Sequence, residues 1–326
     1  MGTRRLCIAL FCCFCLPHII EAYHQQVFVD QSGHANFTKI QKAIDSVPVN
    51  NRHWSFINVA AGLYRKTTVE WGDHDSVAQS PTFATVADNT VVKSLTFVNT
   101  YNFPNKGKVN RNPRIPAVAA LINGDICAFY SVGFSGVQDT LWDADGRHFF
   151  HLCTIQGAVD FIFGNGQSIY KKCVINVLGA TLKPGVAGYI TAQGRTNPYD
   201  ANGFVFTDNL VHGTGKAFLG RPWRSYARVI FYNTDLTDVV VPQRWDSWHF
   251  GGHVSQLTFA EIGYYGSGSN TGRRALGYIP IANTSNSNEV ETVVTRDGRR
   301  CTVCPKLAKI VSRSATGCHS NLRTFL

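Results

Sequence analysis

Beyond its first 22 residues the chain has no apolar run approaching the about 20 residues that a bilayer-crossing helix needs, so a membrane-spanning body is not expected. Helix-period patterns are scarce, and nothing in the middle of the 326 residues resembles a linker, which favours one large domain rich in strands. There is also no long block of Lys and Arg and no recognised nucleic-acid motif, so the formal charge of +10 does not point to DNA or RNA. An anionic membrane surface or an acidic polysaccharide suits that charge, as does a solvated basic surface with no partner. Cysteine is sparse as well: six of the ten lie outside the leader, at 127, 153, 173, 301, 304 and 318, too few for a dense disulfide framework in so long a chain.

What is present begins with export. Met1-Gly-Thr-Arg-Arg5 precedes an apolar run from Leu6 to Leu16, broken by Pro17 and His18 and followed by the small residue Ala22, the charge-then-apolar order of a signal peptide. Residues 1–22 read as that leader, with cleavage near Ala22-Tyr23, and the remainder as a secreted protein. Asn36-Phe-Thr38 and Asn283-Thr-Ser285 are glycosylation sequons that export makes usable.

Phe37, Ile40, Ile44 and Val47 fall on one face after Asn36, so a short amphipathic helix is expected over 37–47. Downstream come short β-branched and aromatic runs cut by Gly and Asn, among them Ser94–Asn99, Phe129–Phe134, His151–Ile155, Lys172–Ile175, Gly203–Phe206 and Arg228–Tyr232. Taking Phe134, Ile155, Ile175, Val205 and Ile230 as equivalent points gives a recurrence of 20 to 30 residues, the size of one coil of a parallel β-helix. Asn123-Gly124, Asn165-Gly166 and Asn202-Gly203 keep an antiparallel sandwich open as the competing architecture. Cys153 and Cys173 stand one coil step apart, which suits either a disulfide between neighbouring coils or two buried thiols.

The sharpest internal repeat is Gly136-Val-Gln-Asp139 against Gly157-Ala-Val-Asp160, one Gly-x-x-Asp frame displaced by 21 residues. In a coil of that length the two aspartates occupy equivalent positions about 4.8 Å apart. Two carboxylates so close do not both ionise cheaply, so one keeps its proton and an acid stands beside a nucleophile. A single Asp after Gly is more often a turn residue. Here each is followed by large apolar groups, Thr140-Leu-Trp142 and Phe161-Ile-Phe163, which favours a desolvated pair.

Gln138-Asp-Thr-Leu141, Gly157-Ala-Val-Asp-Phe-Ile-Phe-Gly-Asn165, Tyr189-Ile-Thr-Ala-Gln-Gly-Arg195 and Leu219-Gly-Arg-Pro-Trp223 closely resemble, in order, the signatures of the plant pectinesterase family. The likeness runs from about Val27 to about Arg274. It implies an all-β fold, a single-stranded right-handed parallel β-helix with a short N-terminal helix, as a catalytic domain over 23–275 between the leader (1–22) and an atypical polar tail (276–326). It implies hydrolysis of pectin methyl esters to carboxylate and methanol in the cell wall, with no cofactor and no metal. On matching positions Asp160 becomes the nucleophile, Asp139 the acid and then the base, Gln138 an oxyanion donor and Arg221 the partner that orients Asp160. Trp223 and Trp248 are the candidates for stacking on sugar, followed by Phe163 and Trp245. The partner is an acidic polysaccharide, methyl-esterified pectin, with a protein inhibitor as a second candidate, and the chain is expected to act as a monomer.

Three features depart from the family pattern. Pro116 stands where members carry a Gln that contributes to the oxyanion hole, and proline has no N–H to donate. Lys66-Thr-Thr68 joins segments that members separate by about a further coil. The tail carries Cys301-Thr-Val-Cys304, Cys318 and His319, a weak metal-ligand spacing better read as loose thiols. Two rival readings follow. One is a β-helix polysaccharide hydrolase or lyase, which two carboxylates about 5 Å apart also suit; of the polygalacturonase motifs only Asn233-Thr-Asp235 is present. The other is a non-catalytic pectin-binding wall protein.

Overall fold

The structure is a computed structural model that describes residues 25–49, 51, 55–60, 67–103, 115–251 and 253–269. The proposed leader, Asn283, the Cys301–Cys304 pair and the tail lie outside the described residues. The chain divides into two compact units, residues 1–67 and 68–326.

In the first unit, strand Gln25–Val29 pairs in parallel with Ser55–Val59. Helix Ile40–Asp45 packs on them through a small core of Val27, Val29, Ala43, Ile40, Ile57 and Val59. The helix is shorter than the sequence suggested and presents a different face. Ala43 is fully buried while Ile44 is 43% exposed. Asn36 is not its cap either, because its side-chain oxygen accepts the backbone N–H of Phe28 at 2.9 Å.

The second unit is a parallel β-helix. Three sheets run along it, and the hydrogen-bonded neighbours in each come from successive coils. The first sheet stacks Phe83–Thr85, Ala120–Ile122, Leu141–Asp143, Ile162–Gly164, Gly188–Gln193 and Ala217–Pro222 in that order, and it carries the candidate site. The interior is filled by ladders of like residues, since parallel register puts the same position of every coil in contact. In the second sheet Phe129, Phe150, Tyr170, Phe206 and Phe231 are registered neighbours. Their rings stack at centroid distances of 5.0, 4.5, 4.5 and 4.4 Å. Each such aromatic pair contributes about 0.5–1.5 kcal/mol beyond simple area burial. The third sheet supplies a second ladder, aromatic in its first two coils and aliphatic after them: Phe97, Phe134, Ile155, Ile175, Val211 and Leu236.

The expected repeat is therefore right in kind but slips in register after Ile175. Val205 pairs with Ile169, and Ile230 with Val205, in the second sheet, and the true successors of Ile175 are Val211 and Leu236. The cause is the corner between the second and third sheets. It turns through one residue with left-handed φ, namely Ser94, Ser131, Leu152, Lys172, Asp208 and Asn233 on successive coils, with φ from 47° to 57°. Leucine and lysine in that conformation leave no Gly, Pro or Asn signal, so runs such as His151–Ile155 read as one strand. They are the end of one strand, Arg147–His151, and the start of the next, Thr154–Gly157. Asn233, from the lone Asn-Thr-Asp motif, is one of these corner residues, and its amide bonds to Asp208 at 2.6 Å.

Cys153 and Cys173 follow this corner on adjacent coils, as their spacing suggested, and of the two outcomes left open they are buried thiols with no disulfide between them. Both are buried in the core and donate to backbone carbonyls, Cys153 to Phe129 and Cys173 to Phe150. Burial, and then the hydrogen bond with Cys153, push the Cys173 thiol well above its ordinary range, where it is inert.

Candidate active site

The repeated Gly-x-x-Asp frame forms the corner between the third sheet and the first. Asp139 and Asp160 both sit there with left-handed φ, 58° and 46°, a conformation that Asp tolerates better than most residues and that concentrates at functional sites. The glycine three residues earlier makes room for the residue after the Asp. A Cβ on Gly136 would stand 2.9 Å from Thr140 Oγ1, and one on Gly157 would stand 2.3 Å from Phe161 Cβ. The corner can turn inward only because those positions lack a side chain. Gln138 bridges Val159, and the Asp139 N–H donates to the Val159 carbonyl at 3.0 Å, so the two aspartates occupy the same point of adjacent coils.

Their environments differ. Asp160 is 7% exposed and held by a guanidinium fork: Arg221 Nε donates to Oδ1 at 2.8 Å and Nη2 to Oδ2 at 2.5 Å. A bidentate charge-assisted pair of this kind favours the carboxylate and fixes its orientation. Among the described residues Asp139 has no such pair. Burial, then the neighbouring charge of Asp160, raise its carboxyl from 3.8 to about 8, with Arg221 offsetting part of the rise. At neutral pH the corner thus carries one protonated acid beside one anion, the asymmetry acid–nucleophile chemistry requires.

The remaining predicted residues separate into groups. Gln138 is adjacent to Asp139 and partly exposed, and among the described residues no hydrogen bond engages its amide. Pro116 lies one coil back, just before Ala117, whose N–H donates to the Gln138 carbonyl at 3.2 Å. The outer face of the first sheet presents a row across the coils: Leu121, Trp142, Phe163, Ala192 and Arg221. Phe163 stacks on Trp142 at 5.5 Å and meets Trp223 edge-on at 6.0 Å, but at 5% exposure it is the buried support beneath those two partly exposed rings and not itself a face for sugar. Trp248, 36% exposed, lies 3.8 Å from the Arg221 guanidinium.

Trp245 is a correction to the sequence reading. It is 3% exposed, stacks on Phe259 at 4.5 Å, and donates Nε1–H to Glu261 at 2.8 Å. It is a core residue that offers no ring face to a sugar, because its strand bridge to Gly220 turns the indole inward. Arg195, from the third motif, is also buried and supports the backbone through the Tyr226 and Pro198 carbonyls.

Sequence reading missed Trp142, Tyr189 and Asp246 as contributors to this surface. Trp142 was legible in principle, since it stands three residues after Asp139 as Phe163 stands three after Asp160. No comparable signal marks Asp246. Among the described residues, one cluster has donor atoms close enough to hold a metal: Asp73, His74 and Asp75, within 4.8 Å of one another. One oxygen of its Asp73 carboxylate accepts the backbone N–H groups of His74 and Asp75, and the His74 ring stacks on Tyr101 at 3.4 Å.

Comparison with known proteins bears on the family and the fold. The Pectinesterase family model matches residues 66–295. The Arabidopsis thaliana protein named Probable pectinesterase 29 is 70% identical over 301 residues, covering 84% of this chain and 90% of that protein. Among solved structures, the pectin methylesterase from carrot superposes with a TM-score of 0.71 at 26% identity, over 82% of this chain and 90% of that one. A pectin methylesterase solved in complex with a hexasaccharide shares the fold, with a TM-score of 0.65 at 24% identity over 84% of this chain and 98% of that one. With the family model matched over residues 66–295 and a plant relative at 70% identity, this chain belongs to the pectinesterase family.

Proposed function

We propose that the protein hydrolyses the methyl esters of pectin to free carboxylates and methanol at the Asp139–Asp160 corner. The observation that carries this reading is the split in protonation between two aspartates on adjacent coils, one forked by Arg221 and the other raised to about 8. In the first half-reaction an Asp160 oxygen attacks the ester carbonyl, and negative charge develops on the carbonyl oxygen. The Gln138 amide stands beside the pair to donate to that oxygen. As the C–OCH3 bond breaks, Asp139 gives its proton to the departing methoxide, so methanol leaves and an acyl-enzyme anhydride remains. Asp139, now a carboxylate, takes a proton from water as that water attacks the anhydride; Asp160 leaves as its carboxylate, and the galacturonic acid released gives its proton to solvent, so both aspartates are restored. With Pro116 on the preceding coil, oxyanion stabilisation falls mainly on Gln138.

The substrate side of the reading rests on Trp142 and Trp223, partly exposed rings packed against the buried Phe163 on the sheet face next to the acids and suited to sugar rings. The charge of +10 draws in a polymer that becomes more anionic as it is demethylated. Action outside the cell, in the wall where pectin lies, fits the leader-like residues 1–22 and the exposed Asn36 sequon. Among the described residues no helix is long and apolar enough to cross a membrane. The test is a double assay on esterified pectin. Methanol release with no gain in reducing ends is expected; chain shortening would favour a glycosidic hydrolase or lyase, and binding without either product would favour a wall-binding protein.

A further inference from the structure

Arg221 does more than pair with Asp160. Its guanidinium carbon lies 4.0 Å from the centroid of the Tyr189 ring and 3.8 Å from that of Trp248. A planar cation held between two ring faces has little rotational freedom left about its long side chain, and both faces attract it. The two rings come from different parts of the chain, one from strand Gly188–Gln193 and the other from the segment after Trp245. One carboxylate ties them together. Asp246 Oδ2 accepts the Tyr189 hydroxyl at 3.2 Å, and Asp246 Oδ1 accepts the Trp248 backbone N–H at 2.6 Å. Trp248 carries a left-handed φ of 48°, a strained conformation for an aromatic residue that the Asp246 bond helps to hold.

Asp246 is itself well anchored. Its N–H donates to the Gly220 carbonyl at 3.1 Å, next to Arg221 in sequence. The preceding residues root the segment in the core, Trp245 on Glu261 and Arg244 on the same carboxylate at 2.9 Å. An acidic residue this near Arg221 is a potential competitor for its guanidinium. Each Asp246 oxygen already has a donor, the Tyr189 hydroxyl on one and the Trp248 N–H on the other, while Arg221 remains forked on Asp160.

We infer that Asp246 is a positioning residue: by fixing Tyr189 and Trp248 on either side of Arg221, it aims the guanidinium at Asp160 and keeps the nucleophile ionised and in line. Trp248 is then first a wall of this clamp, with its outer face left toward solvent. The inference deepens the reading of Asp160 as nucleophile and rests on it.

The groups that act on Arg221 are Asp160, Tyr189 and Asp246, and those that act on Asp139 are Asp160 and Arg221, which sets up a test of sign. In Asp246→Ala, losing a negative charge would by itself lower the neighbouring carboxyl pKa values and move both limbs of the kcat/KM pH profile down. Loosening of Arg221 acts the other way on both aspartates. The expected result is a fall in kcat of at least ~10-fold with KM little changed and an upward move of the acidic limb by roughly half a pH unit or more. Asp246→Asn loses the same charge but keeps an acceptor and a polar partner for the two contacts, so most of kcat should return without the upward move. If Asp246→Ala does not fold, Trp248→Leu removes one ring face and carries the same sign test, with Trp248→Phe as its rescue. Limbs that stay in place or move down in the folded variant, or a loss lying wholly in KM, would overturn the clamp. Full turnover in Asp160→Asn would instead overturn the nucleophile reading beneath it.

Discussion

Asp139 offers a prediction that needs no substrate. Its carboxyl ionises at about 8 in the folded protein against an ordinary value of 3.8. Between those values the folded state holds close to one proton more than the unfolded chain. For a folded pKa raised in this way, the stabilising contribution is fully present below 3.8 and is lost as pH rises through about 8. One proton corresponds to about 1.4 kcal/mol per pH unit, so the whole window sets an upper bound of ~5–6 kcal/mol. Residual contact of the corner with water reduces that to a few kcal/mol. In Asp139→Asn the amide keeps the shape and cannot ionise, so this dependence disappears. Urea unfolding of both proteins from pH 4 to 9 isolates it, because other titrating groups and any pH-independent cost of the amide cancel in the slope of the difference. The stability of the variant minus that of the wild type should climb steadily up to about pH 8 and then level off. A difference that stays flat across the range would refute the assignment of Asp139 as the protonated member of the pair.

Three further outcomes follow from the same geometry. Arg221→Lys replaces a two-bond fork with a point charge, so kcat in methanol release should fall by ~100-fold while the fold, read by circular dichroism, is kept. Gly157→Ala drives a Cβ to 2.3 Å from Phe161, which is fully buried; the overpacked corner should lose about 1–3 kcal/mol by urea denaturation, and activity with it, since Asp160 precedes Phe161. Tyr170→Phe keeps the aromatic ladder but removes the hydroxyl that bonds to Asp143 at 2.6 Å, leaving a buried carboxylate oxygen short of a donor; a loss of about 1–3 kcal/mol is expected in the same assay, with kcat unchanged.

Legibility of the fold in the sequence followed the physics of stacking. The step of 21 between Gly136-Val-Gln-Asp139 and Gly157-Ala-Val-Asp160 survives intact, because a coil without insertions forces like residues into contact. The register was lost after Ile175, where the coil lengthens to reach Val211 and spacing alone cannot tell one sheet from the next. Corners built on Leu152 and Lys172 were invisible for a related reason: tertiary contacts hold these residues in a conformation their own chemistry disfavours. The helix failed on its face, since Ala43 is small enough to pack closely on Val27 and Val29 where Ile44 was expected to point.

The site was legible where it is local and obscure where it is assembled. Asp139 and Asp160 are set by one repeated corner, so the repeat put them on adjacent coils, whereas Gln138 faces Val159 in that frame and was named only through the family likeness. Arg221 lies 61 residues beyond Asp160, and only the family likeness tied it to the pair. Trp245 and Trp248 look equivalent in sequence, yet the strand bridge to Gly220 sends one into the core while the left-handed turn sends the other toward Arg221. Tyr189 stood inside the third motif, but its contact with Asp246, and Asp246 itself, gave no signal, because such contacts arise only in three dimensions.

The most direct test of the central claim is methanol release from esterified pectin by Asp160→Asn. The variant removes the attacking carboxylate and leaves the left-handed corner to a residue that tolerates it. The account expects a folded protein, with wild-type circular dichroism, that releases no methanol above the uncatalysed background. Release at the wild-type rate from that folded variant would contradict it.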